Sequence, residues 1–306
     1  MCAEQNPKSS GFKASGRKIS FVKMSGAGND FVIFDARKRT IHFSNEQIKK
    51  ICDRKNIGCD QLIVIKNSNT KTESSKETDG FKTAAMEIYN PDGSVSGACG
   101  NATRCVASIL LLEQKTSQIK IKTAAGILNC WQLANLDDEL ISVNMGVPAF
   151  DWQKIPLALQ TDSQKVQLFG LEFSCVNVGN PHAVAFIDQN LSDKSFFEIG
   201  PKVENNPLFL QKTNVEFARI LSERLIEVRV WERGVGETLA CGSGACAVAI
   251  LAIKKNLTLE KKITIRFKGG DLIIEWNGNA ENFETPVIMT GGYKKIFSGE
   301  IDSHFL

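Results

Sequence analysis

The sequence predicts an α+β protein of two similar, pseudo-symmetric domains, each with strands wrapped around a buried, largely apolar helix. Three observations predict it. An internal repeat runs through the chain, both halves alternate β-branched runs with turn residues, and each half carries one apolar helix opening after a cysteine-bearing turn.

The repeat comes first. Residues 98–110 read ACGNATRCVASIL and residues 240–251 read ACGSGACAVAIL, aligned on Cys99 and Cys241 at an offset of 142. Downstream, IKIKTAAGIL (119–128) answers ITIRFKGGDL (263–272) at an offset of 144, with Gly126 on Gly270. Upstream, Asn29 answers Asn180 and Gln61 answers Asn214, at offsets of 151 and 153. A series of motifs in one order at nearly constant offset marks a duplication. The domains are placed at 19–146 and 147–287, with 288–306 assigned back to the first and 1–18 as a flexible tail.

The strands of the first half are FVKMSG, DFVIFD, QLIVI, MEIYN, IKIKT and ISVNM; those of the second are CVNVG, AVAFID, VEFARI, LIEVRVW, ITIRF and LIIEW. After each ACG a helical stripe follows: Ala102, Val106, Ile109 and Leu110, then Gly244, Val248, Leu251 and Ala252. The polar segment 66–83 has too few apolar residues to bury and reads as an exposed loop.

Composition narrows the function classes. With 306 residues, 42% hydrophobic and 23% charged, the chain has enough apolar material for a sizeable core. A net charge of +3 argues against nucleic acid or an anionic membrane surface as partner. No run approaches the roughly 18 apolar residues of a membrane span, and the first 18 residues lack a secretory h-region. The nine cysteines show no C-x-x-C spacing, so no metal site is expected. Reduced thiols in the cytoplasm fit this usage.

Cys99 and Cys241 each sit where a glycine-containing turn becomes a helix. The leading amides of a helix lack internal partners and carry partial positive charge, so they favour a thiolate and can hold a carboxylate. That setting is expected to lower a cysteine pKa. Taken alone, a cysteine is more often inert core filler, the reading given to Cys105 and Cys246. The duplicated context points instead to two thiols facing each other across one carbon, where one removes a proton and the other delivers one. No cofactor is required by such a scheme.

The repeat also aligns polar residues: Asn29 with Asn180, Gln61 with Asn214, and Asn90 with Glu232, each of the last two nine residues before its cysteine. Turn-forming is the plain reading of an asparagine; substrate contact explains the aligned set better. His182, in the N-P-H string, reads alone as a surface histidine, though an imidazole near a thiol would tune its proton affinity. Arg233 is the natural bidentate partner of a second substrate carboxylate. Glycines 26, 28, 234, 236 and 242 would let backbone approach a ligand.

The strings SGAGNDF (25–31), NPDGS (90–94), ACGNATR (98–104), VGNPHAV (178–184), TNVEF (213–217) and ERGVGETLACGSGACA (232–247) resemble the pyridoxal-independent, two-cysteine diaminopimelate epimerase family. The resemblance implies the fold of that family, two strand barrels each around a central helix with the active site in the cleft between them. It implies Cys99 and Cys241 as the proton-transferring pair, assisted by His182 and Glu232. Substrate would be bound by Asn29, Gln61, Asn90, Asn180, Asn214, Glu232 and Arg233, and by the amides of Gly100, Asn101, Gly242 and Ser243. It further implies a small-molecule substrate, a cytoplasmic homodimer, no cofactor and no metal. Two positions depart from the family pattern: Ala102 replaces a second glycine in the first anion turn, and Cys59 stands where Gly or Ala is common. Rival readings are a proline racemase-like isomerase of the same fold, a thiol redox or metal-binding protein, and a silent binding module.

Overall fold

The computed structural model describes residues 18–68, 83–132, 139–279 and 281–302. The tail up to residue 17 and most of the 66–83 loop lie outside the described residues; Lys18 already belongs to the first strand.

The first half runs β1 (Lys18–Gly26), β2 (Asn29–Asp35), α1 (Asn45–Cys52), β3 (Gln61–Asn67) and β4 (Thr83–Tyr89). It continues with β5 (Val95–Ser96), α2 (Gly100–Gln114), β6 (Gln118–Thr123), β7 (Gly126–Gln132) and β8 (Leu140–Asn144). After the short β9 (Val166–Leu168), the same succession recurs as β10 (Leu171–Asn177), β11 (Pro181–Phe186), α3 (Asp193–Glu204), β12 (Asn214–Ser222) and β13 (Leu225–Glu232). It closes with β14 (Gly236–Thr238), α4 (Gly242–Lys254), β15 (Lys262–Phe267), β16 (Gly270–Trp276), β17 (Val287–Gly292) and a final β18 (Lys294–Asp302). Each strand-like run read from the sequence falls on one of these strands, the ends agreeing to within four residues.

The pairings repeat as well. β2 runs parallel to β3 as β11 does to β12, β3 and β12 pair antiparallel with β4 and β13, and β4 and β13 run parallel to β6 and β15. The halves join where β8 and β17 pair antiparallel, Val143 opposite Met289, with a buried hydrogen bond of 2.8 Å between the hydroxyls of Ser142 and Thr290. β18 pairs with β1, returning the end of the described chain to its beginning.

α2 and α4 are buried around most of their circumference, and their residues share one core with the inward faces of both halves of the sheet. A helix apolar on every side is stable only when surrounded, and each fully buried Leu, Ile or Val contributes about 1.5–3 kcal/mol there. α1 and α3 cover the outer faces through Ile48 and Ile51, and through Phe196 and Val203. Neither was anticipated, although Ser44 and Gln47 form a capping box at α1 and Ser192 caps α3.

Candidate active site

Parallel and antiparallel register together place the candidate residues at one end of each sheet. Because β2 and β3 are parallel and β4 is antiparallel to them, the start of β2, the start of β3 and the end of β4 coincide, gathering Asn29, Gln61 and Asn90. Gln61 donates to the Asn90 side-chain oxygen at 3.0 Å. The second half does the same with Asn180, Asn214 and Glu232, since His182 lies opposite Asn214 and Val215 opposite Trp231. The short strands β5 and β14 then turn the chain into α2 and α4 at that same end.

Cys99 and Cys241 are the N-cap residues of α2 and α4, both with extended backbone. The two helix starts converge. A Cβ added at Gly100 would lie 2.5 Å from the Met289 methyl, and one at Gly242 would lie 3.0 Å from the Met289 sulfur and 3.6 Å from Asn101 Oδ1. A side chain at either glycine would require the flexible end of Met289 on the seam strand β17 to shift. Ala102 sits buried in the first turn of α2 without a left-handed φ, so that turn forms with one glycine.

The electrostatics differ from the sequence expectation. Burial pushes the Cys99 thiol up to about 11; the Glu232 carboxylate adds to the rise, while the amides of Asn101 and Ala102 and the Arg104 guanidinium oppose it. Burial also raises Cys241 well above the ordinary thiol range, reinforced by Glu232 and Glu216, against the Ser243 hydroxyl and the Gly244 amide. Helix amides do reach the Cys241 sulfur: Gly244 N–H donates at 3.4 Å. Desolvation and carboxylates outweigh them, so the lowered pKa expected from a helix start is not found. Glu232 acts on both thiols, which brings the two cysteines under one carboxylate. Its own carboxyl is held above the usual range, chiefly by burial, while hydrogen bonds from Thr238 and Cys241 resist the shift.

His182 is not at the surface. It is fully buried on β11, Nδ1 2.7 Å from Glu216 Oε1 and Nε2 2.9 Å from Asn180 Oδ1. Asn214 is buried too, its amide donating to the Pro181 carbonyl at 2.9 Å and its oxygen accepting from the Arg233 backbone at 3.0 Å. The Arg233 guanidinium stays exposed, donating to the Gln211 carbonyl at 2.9 Å. Gly28 does not face open space: at φ +86°, a Cβ there would lie 2.7 Å from Gly269 Cα. That glycine serves contact between the halves.

Two charged residues escaped the sequence analysis. Arg104, fully buried in α2, donates to Asn101 Oδ1 at 2.8 Å, and Asn101 donates to Asn29 Oδ1 at 2.6 Å. Glu216, fully buried on β12, bonds His182 through one oxygen, and its other oxygen has no partner among the described residues. The repeat carried a signal for Glu216: its counterpart at offset 153 is the apolar Ile63.

Such a site can hold a carboxylate at converging helix amides and a cation beside its carboxylates, between two proton-bearing sulfurs. Among the described residues no cluster of three or more His, Cys, Asp or Glu is placed to hold a metal, and no helix is long and apolar enough to cross a membrane.

Comparisons agree with this architecture. A family model described as diaminopimelate epimerase matches residues 21–150 and 174–296. A diaminopimelate epimerase from Pelagibacter ubique is 44% identical over 264 residues, covering 84% of this chain and 90% of its own. One from Rhodospirillum centenum is 39% identical over 290 residues, covering 94% and 93%. Among solved structures, a hydroxyproline epimerase from Agrobacterium vitis with bound trans-4-hydroxy-L-proline superposes with a TM-score of 0.63 at 12% identity, covering 94% of this chain and 93% of that one. A phenazine biosynthesis protein of the PhzF family from Bacillus anthracis gives 0.61 at 14% identity, covering 93% and 99%. These structural likenesses establish the fold.

Proposed function

The chain belongs to the diaminopimelate epimerase family, and from that premise we propose that Cys99 and Cys241 exchange the α-proton that interconverts LL- and meso-2,6-diaminoheptanedioate. The chain is an isomerase of that specificity. The observation that carries the two-thiol scheme is the convergence of two helix N-termini, each with a cysteine at its N-cap position, at Met289 and Asn101.

The substrate carboxylate at the reacting carbon is held by the amides of Gly100-Asn101 and Gly242-Ser243. Its α-ammonium brings a positive charge beside Glu232 and Glu216, and the thiols' proton affinities fall toward neutrality on binding. In one direction Cys241 passes its proton to the Glu232 carboxylate, and the resulting thiolate takes the α-proton. Charge developing on the substrate carboxylate is stabilised by the preorganised amides in a site closed to water. Cys99 delivers its proton to the opposite face; its thiolate is then steadied by the amides of Asn101 and Ala102 and by Arg104. The reverse direction exchanges the roles. His182, fixed by Glu216, assists from the second half.

Asn29, Gln61, Asn90, Asn180, Asn214 and Arg233 grip the rest of the substrate, the exposed Arg233 swinging from Gln211 onto the distal carboxylate. We treat 19–146 and 147–287 as two domains, 288–306 returning to the first; the pairing of β18 with β1 supports that return. We also place the reaction in the cytoplasm, in a homodimer, supplying lysine and peptidoglycan precursors.

The test is direct: incubate the purified chain without added cofactor with LL-diaminoheptanedioate and, separately, with L-proline, and resolve the stereoisomers. Conversion of the first and not the second is expected. Turnover of L-proline at a comparable rate would replace this reading with the proline racemase-like one.

A further inference from the structure

Away from the candidate active site, the segment joining α1 to β3 brings together two cysteines that the mechanism does not use. Cys52, the last residue of α1, and Cys59, just before Asp60, are both buried, and the Cys59 thiol donates to the Cys52 sulfur at 3.4 Å. Two successive backbone bonds fix the segments side by side, Gly58 N–H to Ile51 at 3.0 Å and Cys59 N–H to Cys52 at 3.2 Å. A cation accompanies them. The Lys23 ammonium is buried against the Gly58 carbonyl and the Asp30 carboxylate, the latter at 2.6 Å. Arg54, on the same short loop, clamps Asp30 at 2.6 and 2.8 Å and Asp60 at 2.7 Å.

Core filler would explain two small buried residues, but it does not require their sulfurs to touch beside a buried ammonium. We propose that Cys52 and Cys59 form a peroxide-oxidised dithiol site, closing to an intramolecular disulfide that locks the loop leading into Asp60 and Gln61. The roles follow from the hydrogen bond: Cys52 accepts, so it is the attacking sulfur. The Cys59 bond, with Lys23 and Arg54, also lowers its proton affinity, the condition for a reactive cysteine.

The chemistry balances with hydrogen peroxide as oxidant. The Cys52 thiolate attacks one peroxide oxygen; a sulfur–oxygen bond forms, the oxygen–oxygen bond breaks, and hydroxide leaves as water with the thiol's proton. Cys59 sulfur then attacks the Cys52 sulfenic acid; the sulfur–sulfur bond forms, the sulfur–oxygen bond breaks, and the hydroxyl departs as water with the Cys59 proton. Two thiols lose two electrons and one peroxide gains them. A disulfide of about 2.04 Å asks the sulfurs to close by roughly 1.4 Å, a side-chain rotation at this backbone spacing. Both sulfurs are buried, so the reaction requires the exposed loop Asp53 to Asn56 to move outward and admit the small oxidant.

The site connects to substrate binding through Asp60, whose carboxylate accepts from the Asp30 backbone at 2.9 Å and lies 3.5 Å from the Asn29 amide.

The full-length protein is treated with hydrogen peroxide, denatured in iodoacetamide and digested with trypsin. Cleavage at Lys50, Arg54, Lys55 and Lys66 separates the two cysteines. The expected product is peptide 51–54 joined to peptide 56–66, two hydrogens lighter than their sum, released by dithiothreitol and absent in Cys59→Ala. Recovery of both peptides singly alkylated, at peroxide doses that already oxidise Cys99, would overturn the proposal. So would Cys52 joined to any cysteine other than Cys59. If Cys59→Ala fails to fold, the wild-type peptide map alone decides.

Discussion

The helix start in the first half and its counterpart in the second share a fold, a cap residue and a register, yet the charges around them differ. Cys99 is half-buried, with the Arg104 guanidinium partly offsetting Glu232, whereas Cys241 is buried with both Glu232 and Glu216 in range and no such cation. A duplicated backbone has been given two different electrostatic tasks. The carboxylate beside Cys241 can take its proton; the cation near Cys99 steadies the thiolate left after donation. The near-mirror geometry serves a reaction that must work from both faces, and the asymmetry sets which sulfur ionises first.

Removing either sulfur gives the largest effect. Cys99→Ser and Cys241→Ser are each expected to lower kcat by about 10²–10⁴ while leaving the thermal midpoint within a few degrees; near-normal turnover in either breaks the comparison. The pH profile comes next. Cys99 must carry a proton to donate it, and a thiol raised to about 11 keeps that proton through neutral and mildly alkaline pH. Glu232 must be ionised to accept one, and burial raises its carboxyl. So kcat/KM should fall about tenfold per unit as the pH drops through a limb above the ordinary glutamate range, with no enzyme-derived alkaline limb below pH 10. An alkaline loss centred on pH 8–9, after allowance for the substrate's amino groups, would mean Cys99 titrates as an ordinary thiol.

Glu216→Gln sharpens the contrast more finely. It keeps an oxygen for His182 but removes a negative charge acting on Cys241, so iodoacetamide should alkylate Cys241 faster relative to Cys99, by about tenfold at fixed pH. An unchanged ratio would place the asymmetry elsewhere. The smallest effect is structural. Gly28→Ala forces a side chain into a left-handed φ and against Gly269, at a cost of about 1–3 kcal/mol, read as a lowered thermal midpoint.

Strands, repeat and thiol-capped helices were legible because each leaves a periodic or duplicated trace. Asn29, Gln61 and Asn90 could be paired with their counterparts for the same reason. α1 was missed because eight residues give barely two turns of pattern, although its capping box was written at Ser44 and Gln47. The pairing of β18 with β1 depends on contact between chain ends, which no local pattern encodes. Burial of His182 was not legible, since a single polar residue carries no sign of it; its partner Glu216 lies 34 residues away. The thiol proton affinities went the wrong way because helix amides are visible in a sequence and desolvation is not.

The most direct test of two sulfurs on opposite faces is solvent deuterium incorporation at early conversion. In deuterium oxide, with LL-diaminoheptanedioate and no added cofactor, the account predicts meso product carrying deuterium at the inverted carbon while recovered substrate remains almost unlabelled. Meso product that keeps the original protium would contradict it, because a single base would then have carried the same proton from one face to the other.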